Sequence, residues 1–466
     1  MGEGTIPKVV LVVPNFRWAE WDRNTLWHYI PYNLCLLASM VKDMCDVSIL
    51  DAYKENLNEI QFAKRIGESK PDIVGITVLF DQYGESGHIA ARIVKGIDKN
   101  IRTVMGGVYT TTNIDKVISD DNIDCAVIGE GEYMLRHLIG LYIMGKWNNK
   151  MTLTGDRIHN LDELPLPSYD LIDFCSYANS ASRKSVDSPR NYPYARIMTS
   201  RGCPMGCAFC QVATIAGSEF RPRSADSVLR EIEWLRDTYD IKSIIFDDDN
   251  LLHDRNRAKA IFQGMIDIGL VMPWVSIGLA VFKLDEELIK LMRASGCEYI
   301  AVAIESGTRR VLKQIINKPI NFDYAKKMVK FARDNGIYVA ANFIVGFPTE
   351  TWDEIRATLR FAEDIDVNYA KIFHLVPLPH TRVWDMCKKE NTIKDNKFKW
   401  SRGNIETDEF SADDLTVLRA YEWDRINFTD THKREMTKKM MGVTDKELSK
   451  IRRETLNNAC RLVGAK

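Results

Sequence analysis

Short, unbroken apolar runs recur along this chain with helical spacing between them, and that alternation constrains the fold more than any other feature. The first run is Lys8-Val9-Val10-Leu11-Val12-Val13, closed by Pro14. A strand apolar at nearly every position needs cover on both faces, as in a parallel sheet. Similar runs lie at 47–50, 73–79, 103–105 and 125–128, with helical patterns at 33–42, 57–69, 85–95 and 113–120. The alternation predicts a doubly wound α/β domain, whose ligands sit beyond the carboxyl ends of the strands. The stretch 150–190 is polar and centred on Leu164-Pro165-Leu166-Pro167-Ser168, so it reads as a linker. A second α/β unit follows, with strands expected at 194–199, 243–247, 274–278, 299–304, 338–345 and 371–376. Its helices are expected at 225–239, 255–268, 285–294, 308–316, 322–335 and 351–365. Residues beyond 390 are charged and helical.

The chemistry is announced by Arg201-Gly202-Cys203-Pro204-Met205-Gly206-Cys207-Ala208-Phe209-Cys210, a C-x3-C-x2-C run just after the first strand of the second unit. Iron–sulfur clusters are held by such closely spaced thiolates. Three of them can hold three irons and leave a fourth open to a small molecule bearing its own ligands. Other readings are weaker. A zinc site wants a fourth Cys or His nearby, and the nearest downstream His is His253. A disulfide framework does not suit ten Cys in 466 residues with no signal peptide.

Composition excludes several classes. The 63 basic and 64 acidic residues give a formal net charge of -1, which argues against a nucleic-acid binder. No apolar run reaches the roughly 18 residues needed to span a bilayer. The start, Met1-Gly2-Glu3-Gly4-Thr5-Ile6, lacks a signal core and a myristoylation site. A cytoplasmic location is expected.

The cysteine run and its flanks resemble the cluster motif of the radical S-adenosyl-L-methionine (SAM) enzymes, and the six βα repeats resemble their partial (β/α)6 barrel. The resemblance implies a 4Fe-4S cluster on Cys203, Cys207 and Cys210, with SAM chelating the open iron. It places Phe209 beside the SAM adenine. Phe246-Asp247-Asp248-Asp249-Asn250 matches the strand end that meets the SAM ammonium, so Asp248 and Asp249 are jointly its candidates. Ile304-Glu305-Ser306-Gly307 resembles the family's Glu-Ser-Gly, which implies that Glu305 and Ser306 contact SAM. In Phe343-Ile344-Val345-Gly346-Phe347-Pro348-Thr349-Glu350, backbone at Ile344 and Gly346 is implied to meet the adenine. Thr349 and Glu350 read as caps for the next helix. His380 stands where the family's Pro-x-Pro-Gly-Thr has Gly, which leaves substrate handling and a different turn equally open. Cys297 reads as packing.

Residues 7–145 resemble the cobalamin-binding domain of the B12-dependent branch of the same family. Its candidate contacts are Thr77, then Gly106, Gly107, Val108 and Tyr109, then Glu130, Gly131 and Glu132, all at strand ends. Each glycine alone is more often a turn residue. No Asp-x-His-x-x-Gly occurs, which implies base-off cobalamin without a His ligand. The first loop carries Phe16, Trp18, Trp21, Trp27, His28, Tyr29 and Tyr32. Some of these rings are expected over one face of the corrin, while His28 is expected to be packed rather than bound to cobalt.

Together these readings predict an α/β fold with four regions. A Rossmann-like cobalamin domain (1–149) is followed by a linker (150–190), a radical SAM barrel (191–390) and a small, mostly helical C-terminal region (391–466). The resemblance spans about 7–385 and implies a cobalamin-dependent radical SAM methyltransferase. In such enzymes a 5′-deoxyadenosyl radical removes hydrogen from an unactivated carbon, which methylcobalamin then methylates. Its partners would be an external electron donor such as flavodoxin or ferredoxin, and a substrate that is a small metabolite or a peptide or protein side chain. The alternatives are a non-methylating rearrangement or cyclisation, a barrel with a vestigial first domain, or a noncatalytic Fe–S electron carrier.

Overall fold

The computed structural model describes residues 6–19, 29–147, 149–179, 185–394, 398 and 400–464. Trp21, Trp27 and His28 of the aromatic loop lie outside the described residues. The chain divides into two compact units, one spanning mainly Met1–Ser182 and the other mainly Arg183–Lys466.

The first unit is a six-stranded parallel sheet of β1 (Lys8–Val13), β2 (Asp46–Asp51), β3 (Ile73–Thr77), β4 (Arg102–Gly106), β5 (Cys125–Gly129) and β6 (Met151–Gly155). The strand order is β2-β1-β3-β4-β5-β6. The direction of winding reverses between β1 and β3, and at such a switch point the loops part to leave a crevice. β1 and β3 are buried along nearly their whole length, as their unbroken apolar sequences require.

Strand β6 begins inside the stretch expected to be a linker. Met151-Thr-Leu-Thr-Gly alternates exposed with less exposed residues, because an edge strand needs only one apolar face, and so it lacks the continuous run that marks β1. The Pro-rich segment after it is docked as well. Ser39 Oγ donates to the Leu166 carbonyl at 2.7 Å, and the Tyr177 hydroxyl donates to Asp51 Oδ2 at 2.8 Å.

The second unit opens with β7 (Tyr194–Ile197), followed by a short antiparallel pair, β8 (Ser200–Arg201) and β9 (Arg221–Pro222). Strands β10 (Ser243–Phe246), β11 (Trp274–Leu279), β12 (Cys297–Glu305), β13 (Tyr338–Val345) and β14 (Tyr369–His374) complete it. β7 and β10–β14 form one parallel sheet in sequential order. The intervening helices start at side-chain caps, Ser224, Asp254, Asp285, Asn321 and Thr351 among them. At the amino end of the strands, Val186, Tyr194, Ile245, Val275, Tyr299 and Met440 pack into one apolar cluster. Inside it, Tyr299 donates to Asp187 Oδ1 at 2.6 Å, and Lys371 pairs with the same carboxylate. The floor is thereby filled, and open chemistry is left to the carboxyl ends.

After the helix Arg382–Lys389 come the helices Ala412–Phe428, Thr431–Met441 and Asp445–Leu462. Asn427 of Ala412–Phe428 covers the free edge of β14. Its amide donates to the Ala370 carbonyl and its carbonyl accepts the Ala370 N–H, both at 2.8 Å. One side chain thus satisfies an edge that would otherwise be a template for aggregation. No helix among the described residues is long and apolar enough to cross a membrane.

Candidate functional site

Cys203, Cys207 and Cys210 are free, half-buried thiols on one loop between β8 and β9. That loop is held from three directions. From the β10 end, Asp248 Oδ1 accepts from the Thr199 N–H (3.1 Å), the Thr199 hydroxyl (2.7 Å) and the Ser200 hydroxyl (2.5 Å). Asp249 Oδ2 accepts the Gly202 N–H at 3.0 Å, and Asn250 Nδ2 lies 3.5 Å from Cys203 Sγ. From the turn after β14, Arg382 donates to the Gly206 carbonyl at 3.1 Å and Gln211 to the Pro379 carbonyl at 3.0 Å. From the helix after β12, the Ile316 carbonyl accepts the Ala208 N–H at 2.9 Å. A short loop with three thiols cannot pack a core of its own, so these outside contacts fix its shape.

The three successive carboxylates resolve into separate partnerships. Asp247 takes Arg196 at 2.6 Å, while Asp248 and Asp249 hold the cluster loop. Burial pushes the Asp248 carboxyl up to about 6, against the downward pull of its hydroxyl donors and of Arg257. Burial also raises Asp249, Cys207 and Cys210, the last to about 12. Each of the two raised thiols senses the charge of neighbouring cluster-loop cysteines. Unmetallated, these thiols would stay protonated, and a bound metal is the ordinary means of ionising them.

Among the described residues, no three His, Cys, Asp or Glu side chains converge tightly enough for a single metal ion. A cubane instead spreads its thiolates over separate irons, and the donor set of three thiols with no carboxylate or imidazole suits it. Two buried acceptors beside the loop, Asp248 Oδ2 and Asn250 Oδ1, and a third at the turn after β13, Glu350 Oε1, have no donor among the described residues. Orphaned acceptors of this kind are costly in a closed core and suit the amine, amide and hydroxyl donors of a bound molecule.

The other strand-end candidates differ in how they are placed. Phe209 is half-buried, its ring 6.3 Å from that of Phe347. Glu305 ends β12 with φ 72, beyond a register shift, and its Oε1 accepts from Lys318 Nζ at 2.8 Å in a buried pair. Ser306 is fully buried, its hydroxyl 3.1 Å from that of Thr358, so it ties strand to helix. Ile344 is half-buried, and Gly346 turns with φ 87 where a Cβ would strike Leu415 at 2.4 Å.

Glu350 does not cap the helix Trp352–Asp364. Thr351 does so in a capping box with Glu354, and Glu350 Oε2 folds back to accept the N–H groups of Gly346 (2.7 Å) and Phe347 (3.1 Å). The two buried amides of the turn are a stronger demand than a helix end that already has a Thr. Thr349 is exposed, and its carbonyl accepts from Arg310 at 2.7 Å. His380 is exposed with φ 64, in the conformation a glycine would take in that turn. Cys297 is buried packing.

The sequence reading passed over Lys318, Asn250, Gln211 and Arg382, which the structure brings to the cluster loop or its neighbours. Asn250 follows the acidic run directly and was within reach of the same argument. Lys318, between Asn317 and Pro319, carries no local sign of burial. Gly278 was also unassigned; it has φ 96 and no atom within 4 Å of a would-be Cβ, leaving an open notch at the end of β11.

In the first unit the strand-end residues meet at the carboxyl edge of β3, β4 and β5. Asn33 Nδ2 donates to Thr77 Oγ1 at 3.0 Å. Gly107 has φ 95 and would press a Cβ to 2.7 Å from the Val78 carbonyl, whereas Gly106 has nothing nearer than 3.9 Å. Val108 starts the short helix Val108–Thr112. Tyr109 is buried, its hydroxyl 3.1 Å from His88 Nε2, and Gly84 packs against its ring. Glu130 Oε2 accepts the Ile158 N–H at 2.8 Å, Gly131 faces Leu37, and Glu132 is buried at the start of Glu132–Ile143. Tyr109 and the two glutamates therefore brace the edge from behind, and a Cβ at Gly106 would meet only Val127, at 3.9 Å. A flat macrocycle needs a rim free of bulky side chains.

A family model of the Radical SAM superfamily matches residues 197–362, and one of the B12 binding domain matches residues 26–139. An uncharacterized methyltransferase of Pyrococcus horikoshii is 34% identical over 381 residues, which cover 78% of this chain and 79% of that protein. The cytidylyl-2-hydroxyethylphosphonate methyltransferase of Streptomyces wedmorensis is 27% identical over 384 residues, covering 72% of this chain and 70% of that one. Among solved structures, the radical S-adenosylmethionine methyltransferase TsrM from Kitasatospora setae, with cobalamin and a 4Fe-4S cluster bound, has the same fold. Its TM-score is 0.64 at 19% identity, over 83% of this chain and 75% of that chain. The cofactors that go with the two matched domains are a 4Fe-4S cluster, SAM and cobalamin.

Proposed function

Because the chain belongs to the cobalamin-binding radical SAM family, we propose that it is a methyltransferase that places a methyl group on an unactivated substrate carbon. The observation that carries this reading is that one chain holds both a thiol loop clamped at the carboxyl edge of one parallel sheet and a glycine-bearing rim at the carboxyl edge of the other. A carbon without acidity offers nothing to a base or nucleophile, so its hydrogen must leave as an atom. When bound, the cluster and SAM supply that one-electron chemistry and cobalamin supplies the methyl group.

The chain's own residues then position and shield. Cys203, Cys207 and Cys210 would hold the cluster, and Asp248, Asp249 and Asn250 would keep their loop in register. The orphaned acceptors of Asp248, Asn250 and Glu350 would receive donors of SAM, with Phe209 and the Gly346 turn beside its adenine. The rim at Thr77, Gly106 and Gly107 would carry the corrin. The electron would come from a donor protein such as flavodoxin or ferredoxin. The substrate would be a small metabolite or a side chain of a peptide or protein.

The test is anaerobic reconstitution with iron, sulfide and cobalamin, then SAM and a reductant, followed by mass spectrometry and visible absorption. Retained cobalamin with both 5′-deoxyadenosine and S-adenosylhomocysteine is the expected result. 5′-Deoxyadenosine without S-adenosylhomocysteine would replace methylation by rearrangement or cyclisation. SAM cleavage by protein that retains no cobalamin would reduce the first unit to a scaffold, and no cleavage at all would leave an electron carrier.

A further inference from the structure

Behind the cluster loop lies a charge pair with no evident packing task. Lys318 and Glu305 meet at 2.8 Å with only 5% and 7% of their side chains exposed. Lys318 follows the irregular helix Val311–Ile316, whose final carbonyl takes the Ala208 N–H at 2.9 Å, so the segment that leads into the lysine is anchored to the cluster loop. Its own N–H is fixed to the Leu312 carbonyl at 2.8 Å. Glu305 is held by the last turn of β12 in a left-handed conformation that a non-glycine residue adopts only under constraint. Both charges are felt at Cys207: the lysine favours its thiolate and the glutamate opposes it.

A buried ion pair is a poor source of stability, and well-packed apolar residues often do as well or better. Its presence behind the cluster loop, within electrostatic reach of Cys207, calls for an electrostatic account. A 4Fe-4S cluster gains negative charge when reduced, and its potential follows the net charge around it. A buried ammonium next to one of its ligands favours the reduced form, and a buried carboxylate disfavours it, with little solvent screening.

We infer that Lys318 and Glu305 are positioning residues that set the reduction potential of a cluster on Cys203, Cys207 and Cys210, acting in opposite directions. The inference rests on the radical SAM reading. The pair neither gives nor takes an electron; it changes the cost of adding one to the cluster.

The test is an EPR-monitored redox titration of the full chain, reconstituted anaerobically with iron and sulfide and free of SAM. Lys318→Met is expected to lower the midpoint and Glu305→Gln to raise it. Each shift should change the ratio of reduced to oxidised cluster at a fixed potential about tenfold, which is about 59 mV for a one-electron couple. Lys318→Arg should keep the parental midpoint, and the double variant Lys318→Met/Glu305→Gln should return close to it. Where Lys318→Met does not fold, because it strands the glutamate, Glu305→Gln and the double variant still decide the sign. Shifts of the same sign, or none beyond about threefold, in variants that load a full cluster overturn the inference. A parent protein that binds no cluster overturns the radical SAM reading and the inference with it.

Discussion

The two sheet edges solve the same problem with different materials. In the second unit the edge is built from side chains: three thiols, three carboxylates, an asparagine, and a lysine paired with a glutamate. In the first unit it is built mostly from backbone, with Thr77, Gly106 and Gly107 in front and the polar side chains of Tyr109 and Glu130 turned to internal partners. The contrast follows from what each cofactor asks. A cluster forms bonds to particular atoms, so it dictates residue types. A corrin asks chiefly for shape, which many sequences can supply.

The sharpest way to break this comparison is to remove the bonds. Replacing Cys203, Cys207 and Cys210 together by Ala should abolish iron loading and SAM cleavage, while cobalamin retention stays near that of the parent. Iron content, 5′-deoxyadenosine yield and bound cobalamin measure the three. Loss of cobalamin in a folded triple variant would show that the two edges are not independent.

A smaller effect comes from the shape of the rim. Gly107→Ala forces a Cβ to 2.7 Å from the Val78 carbonyl at φ 95, and should cost about 1–3 kcal/mol of stability. Gly106→Ala meets Val127 at an ordinary contact distance of 3.9 Å and should be neutral for folding to within about 1 kcal/mol. It should still weaken cobalamin retention, because the methyl group adds bulk to the strand end that would carry the corrin. Denaturant melts and cobalamin retention separate the two, and equal behaviour in both assays would sink the distinction.

The same contrast explains what could be read in advance. β1 and β3 were legible because strands buried on both faces are apolar almost without interruption. β6 was not, since an edge strand alternates and Thr152 and Thr154 look like loop. The three cysteines stood out because close spacing is recorded in sequence, and the structure puts them on one loop. The work of Asp248 and Asp249 was only half legible. Three adjacent acids require partners, but which partners they take, hydroxyls and an amide of the cluster loop as well as Arg196, depends on the register of β7 against β10. Lys318 was silent, because nothing local distinguishes a buried lysine from a solvated one. Glu350 misled, because Thr349-Glu350-Thr351 holds more helix-capping candidates than the one helix start requires.

Glu350 also supplies the smallest and most specific test. Its carboxyl is almost fully buried on two backbone amides, and burial raises it from an ordinary 4.5 to about 7. A carboxyl raised on folding keeps its proton in the native state after the unfolded chain has lost it. Stability is therefore fully present below about pH 4.5 and declines as pH rises toward 7. Glu350→Gln cannot ionise in either state and keeps an oxygen for the Gly346 and Phe347 amides. Relative to the parent, it should gain about 3 kcal/mol at pH 8 and almost nothing at pH 4.5. Thermal melts of both proteins across this range check it. A gain independent of pH would point to packing, and a loss that grows with pH would mean that the ionised carboxylate is what the two amides hold.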